Sequence, residues 1–315
     1  MITLLIAAAQ VMAAPPGPLR ETVLTAGTGR QLAGALVQPV GPPRATVLII
    51  PGSGPTDRDG NNPLGVKGSS YKLLAEGLAG RGIATLRIDK RGMYGSKAAG
   101  DPNNVTIGRY AADVGSWVST ARRATGARCV WLAGHSEGGL VALAAAGRPE
   151  VCGLVLISTA GRPLGEVVRS QLRANPANAP ILAQAEAALT SLEAGRRVDI
   201  STLHPALAQG LFNPAVQDFL IDGFRYDPAK LVAAYKGPVL VVQGGTDLQI
   251  GKTDADRLVA ARAGVERADF ATMNHVLKEA PADPADNAAT YADPALPLAP
   301  GLVDRIATFV TSARR

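Results

Sequence analysis

Aromatic side chains are scarce in this sequence: 4% of 315 residues, with two tryptophans, six tyrosines and five phenylalanines. Core volume must therefore come from Leu, Val, Ile and Ala. Charged residues make up 18% and the net charge is +6. The basic residues are scattered in pairs such as Arg122-Arg123 and Arg196-Arg197, often near acids. No basic stripe with interleaved aromatics exists, so a nucleic-acid surface is excluded and a solvated basic surface remains. Cysteine is limited to Cys129 and Cys152, with no C-x-x-C and no histidine at metal-ligand spacing. That argues against a metal site or a cysteine nucleophile. Both cysteines sit at the start of strands expected to be parallel neighbours. A disulfide in an exported protein and a pair of buried apolar thiols both fit that placement. Histidine is limited to three: His135, His204 and His275.

Long apolar runs are also missing. Residues 2–14 form one of signal-peptide length, too short to span a bilayer, with Val11 and Ala13 fitting the small-residue cleavage rule. Residues 1–14 thus read as a signal peptide, and the protein as periplasmic or secreted. No Lys or Arg precedes the run, which leaves a cytoplasmic protein with a misassigned start as the alternative. No later segment reads as a membrane span, and the sequence sets no oligomeric state.

What is present is a large apolar fraction, 47%, arranged as strand, turn and helix in alternation. Residues 21–26 and 30–40 read as a leading hairpin. Continuous apolar strands follow at 45–51, 83–88, 129–133, 153–158, 238–243 and 267–272, as strands buried on both faces should. Helical periodicity marks 71–81, 106–125, 137–147, 252–263 and 301–313. Residues 162–236 break the rhythm: they are helical, Ala-rich and interrupted by Pro176, Pro180, Pro205 and Pro214. Residues 276–300 read as a long ordered loop. The expected architecture is α/β, a mostly parallel central sheet with helices on both faces. Residues 20–161 and 237–315 form its core, with 162–236 as an inserted helical cap.

Residues 134–138 (GHSEG) match G-x-S-x-G at a strand-to-helix junction. A serine on such a turn projects its hydroxyl, and the flanking residues must be small to let strand and helix approach. A serine hydroxyl needs a base. His135 adjoins the nucleophile and should point away, and His204 lies in the cap. His275 follows the last strand, where loops gather at the sheet's carboxyl end. Asp247, beyond the strand at 238–243, is placed to orient it. Asp269 should alternate away from the site, and Asp254 and Asp256 read as the solvated face of a helix. The order Ser136, Asp247, His275 is that of α/β-hydrolases. Backbone N–H groups of Glu137, at a helix N-terminus, and of Ser53, after the third strand, are the candidate oxyanion donors. Gly52 permits close backbone approach there. Asp57 and Arg58 read as part of an ion-pair and turn network supporting this loop rather than as substrate contacts.

Residues 51–61 (PGSGPTDRDGN), 89–92 (DKRG), 134–139 (GHSEGG), 243–247 (QGGTD), Asn274 with His275, and 291–298 (YADPALPL) together resemble the bacterial EstD-type carboxylesterases, relatives of the serine aminopeptidase-like hydrolases. The resemblance implies an ester hydrolase with a helical lid, a small-molecule ester substrate and no cofactor or metal. One departure is Pro51, where many hydrolases carry His before the oxyanion glycine. Peptidase, thioesterase and lactonase activities use the same triad and stay open as alternatives. So does a non-catalytic binding module on the same fold. A dehalogenase or epoxide hydrolase would carry Asp where Ser136 stands.

Overall fold

The computed structural model describes residues 19–312; the leader expected at 1–14 lies outside them. In chain order the larger elements are β1 (Arg20–Ala26), β2 (Leu32–Gln38), β3 (Ala45–Ile50), α1 (Ser70–Ala79), β4 (Ile83–Ile88), α2 (Ile107–Thr125), β5 (Val130–His135), α3 (Glu137–Ala145) and β6 (Val151–Ile157). Next come α4 (Leu164–Ala174), α5 (Leu182–Glu193), α6 (Gln217–Gly223) and α7 (Pro228–Ala234), then β7 (Val239–Gly244), α8 (Lys252–Ala260), β8 (Glu266–Phe270), α9 (Pro284–Ala289) and α10 (Leu302–Ser312).

The strands form one eight-stranded sheet in the order β1-β2-β4-β3-β5-β6-β7-β8. β2 pairs antiparallel with both β1 and β4, and every later pairing is parallel. Parallel strands need both faces covered, which is why β5 and β7 read as unbroken apolar runs and are buried throughout. On one face Val114 and Trp117 of α2, Val141 of α3 and Leu258 of α8 fill the space above the sheet. On the other, Leu74 and Leu78 of α1 meet Ile306 and Phe309 of α10, with Trp131 edge-on to Phe309. Cys129, just before β5, is joined by a disulfide to Cys152 of β6, with Cα atoms 5.2 Å apart. Of the two readings that the cysteines allowed, the structure adopts the bridge.

α4 to α7 lie between β6 and β7 as a helical insertion. Leu189, Leu192, Phe212 and Leu220 give it a small core of its own. α7 differs from its neighbours, because its Val232 is buried in the sheet's main core. Residues 276–300, expected as loop throughout, contain the short helix α9. Pro284 starts it, and the Asp283 side chain accepts from the N–H groups of Ala285 and Asp286. Proline is favoured at a first helical position, so the composition that suggested a loop also fits a helix start. Among the described residues no helix is long and apolar enough to cross a membrane.

Candidate active site

Ser136 sits between β5 and α3 at φ 54 and ψ −121, a conformation costly for a residue with a Cβ. Its N–H donates to the Ile157 carbonyl at 2.9 Å, which holds the turn against β6. The flanking glycines permit this crossing. A Cβ on Gly134 would meet the Gly138 carbonyl, and one on Gly138 would meet that of Ile50. The hydroxyl of Ser136 makes no hydrogen bond among the described residues. It faces a cleft of about 520 Å³ that His275 also lines.

The Asp247 carboxylate is buried and reaches His275 Nδ1 with Oδ2 at 2.9 Å and Oδ1 at 3.1 Å. Its Oδ1 also accepts from the N–H groups of Gln249 at 2.8 Å and Ile250 at 3.0 Å. Burial alone would raise the Asp247 pKa. The His275 ring and the two backbone donors outweigh that and hold the carboxyl below its ordinary value. The structure thus joins His275 to Asp247 and places Ser136 on the same cleft. It does not join His204, which is exposed on the insertion with its Nδ1 accepting from Ala206. Asp269 pairs with Arg267 on β8, directed away from the site as its strand position required.

Asp254 was expected on a solvated helix face and is instead completely buried. Its carboxylate accepts from the Gly161 N–H at 3.0 Å and from the Arg162 guanidinium at 2.8 and 2.9 Å. α8 turns this residue toward the start of the insertion, and the ion pair with Arg162 makes the burial tolerable. Asp256, two residues on, is exposed and paired with Arg267.

The loop after β3 carries the remaining candidates. Gly52 is pressed against the nucleophile turn: a Cβ there would lie 3.3 Å from both Ser136 Cβ and His135 Nδ1. Ser53 lines the cleft, and its carbonyl accepts from the Thr56 hydroxyl at 3.0 Å. The N–H groups of Ser53 and Glu137 make no hydrogen bond among the described residues. Asp57 Oδ1 accepts from the N–H groups of Asp59 and Asn61, both at 2.8 Å. Arg58 pairs with Asp89, and Asp59 with the buried Arg87 of β4. The network expected around Asp57 and Arg58 is therefore present, and it reaches the neighbouring strand and the residue just after it.

Tyr71 was not singled out in the sequence, and His135, expected to point away, instead lines the cleft with its ring 4.8 Å from that of His275. His135 Nε2 lies 2.8 Å from the His275 carbonyl, which can only accept, so the proton sits on Nε2. Nδ1 then accepts from the Tyr71 hydroxyl at 2.8 Å, and that oxygen accepts from the Gly52 N–H at 3.1 Å. One chain of bonds ties the Gly52 loop to the backbone of His275. Burial, helped by the nearby His275 ring, lowers the His135 pKa to about 3. Between about pH 6.5, the ordinary histidine value, and 3, the unfolded chain binds a proton there that the folded protein does not. Stability is therefore expected to fall as pH drops through that window, by up to about 1.4 kcal/mol per pH unit from this group. Urea midpoints from pH 7 to 4 check this. His135→Gln should flatten the slope, and parallel slopes in the two proteins would contradict it.

The sequence profile of the alpha/beta hydrolase family matches residues 47–305. Esterase EstD of Thermotoga maritima is 28% identical over 242 residues, a match covering 75% of this chain and 55% of that protein. The chain thus spans about half the length of that curated relative. Among solved structures, the esterase domain of a Rhodothermus marinus protein superposes with a TM-score of 0.53 at 18% identity, covering 94% of this chain and 99% of the other. Est1E of Butyrivibrio proteoclasticus, in its ferulic acid complex, gives 0.54 at 16% identity over 89% and 93%. These structural likenesses concern the fold. With its eight-stranded sheet, its serine turn at the carboxyl end of β5 and a profile match across most of its length, this chain belongs to the alpha/beta hydrolase family.

Proposed function

We propose that the protein is a serine hydrolase of carboxylic esters, with Ser136 as nucleophile, His275 as base and Asp247 as its orienting acid. The carrying observation is that His275, held by the buried Asp247, shares a cleft with a strained Ser136 whose hydroxyl makes no hydrogen bond among the described residues. In this reading His275 removes the Ser136 proton as the hydroxyl attacks the ester carbonyl. The carbonyl oxygen, now negative, settles between the N–H groups of Glu137 and Ser53. His275 returns the proton to the leaving alcohol and then activates water to release the acid. The match to an esterase over three quarters of the chain favours an ester over the other acyl substrates. The disulfide supports an oxidising destination such as the periplasm or the exterior.

Two cavities meet at Ser136, and in this reading each takes one half of the substrate. The leaving oxygen must reach His275, so the alcohol belongs in the 520 Å³ cleft. The acyl chain then enters a narrower pocket of about 140 Å³ beneath the insertion, which Ile107, Leu140, Leu164, Val167 and Phe219 help to line. A cavity of roughly 150 Å³ accommodates a body the size of benzene. Hydrolysis of p-nitrophenyl esters is therefore expected to peak at acyl chains of about four to six carbons and to fall at least about tenfold by twelve. Measuring kcat/KM across that series, beside an amino-acyl anilide, tests both points. A flat profile would refute the pocket assignment, and anilide turnover without ester turnover would refute the esterase.

A further inference from the structure

The loop that carries Gly52 and Ser53 is gripped by a residue with no part in the proposed proton transfers. Lys90 lies just after β4, and its amino group is withdrawn from water: the residue is 7% exposed. Its Nζ donates to the Gly52 carbonyl at 2.7 Å and lies 3.8 Å from the Glu137 carboxylate and 5.7 Å from the centre of the Tyr110 ring. We propose that Lys90 is the positioning residue of the oxyanion hole, setting the direction of the Ser53 N–H by holding the carbonyl of the same peptide.

The geometry follows from the planarity of that peptide. No described peptide bond is cis, and across a trans peptide the C=O and N–H point in opposite directions. The Gly52 carbonyl is drawn into the protein toward Lys90. The Ser53 N–H must then face the other way, and Ser53 lines both cavities that meet at Ser136. The Gly52 N–H is fixed separately by the Tyr71 hydroxyl at 3.1 Å, so the glycine is clamped on both sides. A flexible glycine backbone would otherwise rotate this peptide at little cost. A cation on the carbonyl also polarises the peptide and makes its N–H a stronger donor.

The same ammonium faces the side chain of Glu137, whose backbone N–H is the second donor in the proposed hole. One cation therefore engages the carbonyl end of the peptide that carries one donor and the side chain of the residue that carries the other. Burial pulls the Lys90 pKa down and the Glu137 carboxylate pulls it back up; burial in turn raises that of Glu137, opposed by Lys90. Neither charge is stable in that position without the other.

This inference rests on the serine-hydrolase reading, and its test separates the two. The readouts are the rate of Ser136 phosphonylation by a fluorophosphonate, and kcat and KM on a p-nitrophenyl ester, in wild type, Lys90→Met and Lys90→Gln. The phosphonyl oxygen occupies the same hole, so labelling reports on the donors without knowledge of the natural substrate. Losing a single oxyanion donor typically costs about 100- to 1000-fold, and a misdirected one somewhat less. Labelling and kcat are expected to fall roughly 30- to 100-fold in Lys90→Met, with KM within about threefold and circular dichroism unchanged. Lys90→Gln keeps an N–H donor without the charge and should recover part of the loss. A folded Lys90→Met labelled at the wild-type rate overturns the proposal, as does a loss carried by KM alone. If Lys90→Met does not fold, Lys90→Gln decides: slowed labelling in a folded protein supports the proposal and wild-type labelling overturns it. Wild-type protein that resists the fluorophosphonate would instead overturn the serine-hydrolase reading beneath it.

Discussion

Ser136→Ala is expected to lower ester turnover by on the order of a millionfold, the scale seen when a triad nucleophile is removed, with the fold intact. The second half of that expectation is specific to this site. Alanine keeps the Cβ, so the strain at φ 54 is the same in both proteins. The deleted hydroxyl makes no hydrogen bond among the described residues, so no partner is left stranded. Stability should therefore stay within about 0.5 kcal/mol of wild type. Turnover of a p-nitrophenyl ester and a thermal melt, run on both proteins, measure the two halves. Undiminished turnover in the variant would sink the assignment of Ser136.

Asp247→Asn should cost about ten-thousandfold in kcat, because the amide would force the wrong tautomer on His275. Oδ1 of Asp247 receives the Gln249 and Ile250 N–H groups, which only an oxygen can accept. An asparagine would keep its oxygen there and turn its NH₂ to the position of Oδ2, 2.9 Å from His275 Nδ1. Nδ1 would then have to be the acceptor, moving the proton to Nε2 and leaving no lone pair to take the serine proton. The variant should fold, since every backbone donor keeps its partner. Activity within tenfold of wild type would show that Asp247 does not orient the base.

The sheet was legible because its strands are buried on both faces and read as apolar runs. Even so, the run at 83–88 concealed Arg87, whose guanidinium is buried and paired with Asp59 and Glu21. The serine turn was legible for a different reason: the close crossing of β5 and α3 imposes glycines at fixed spacing. His275 and Asp247 could be chosen because few histidines exist and both residues follow strands. Asp254 could not be read correctly, since its partner Arg162 is 92 positions away and only the packing of α8 brings them together. Tyr71, His135 and Lys90 belong to the same class. Their contacts link residues 19, 38, 64 and 140 positions apart, and no local pattern encodes such pairings.

The Cys129–Cys152 bridge spans 23 positions, and between its ends lie all of β5, the serine turn and α3. The segment presenting the candidate nucleophile is thus a closed covalent ring sewn shut at the end of the sheet opposite Ser136. A protease cutting inside this ring would leave a two-ended tether in which both halves stay attached to the rest of the chain. A single cut within this segment therefore cannot detach the serine turn from the chain.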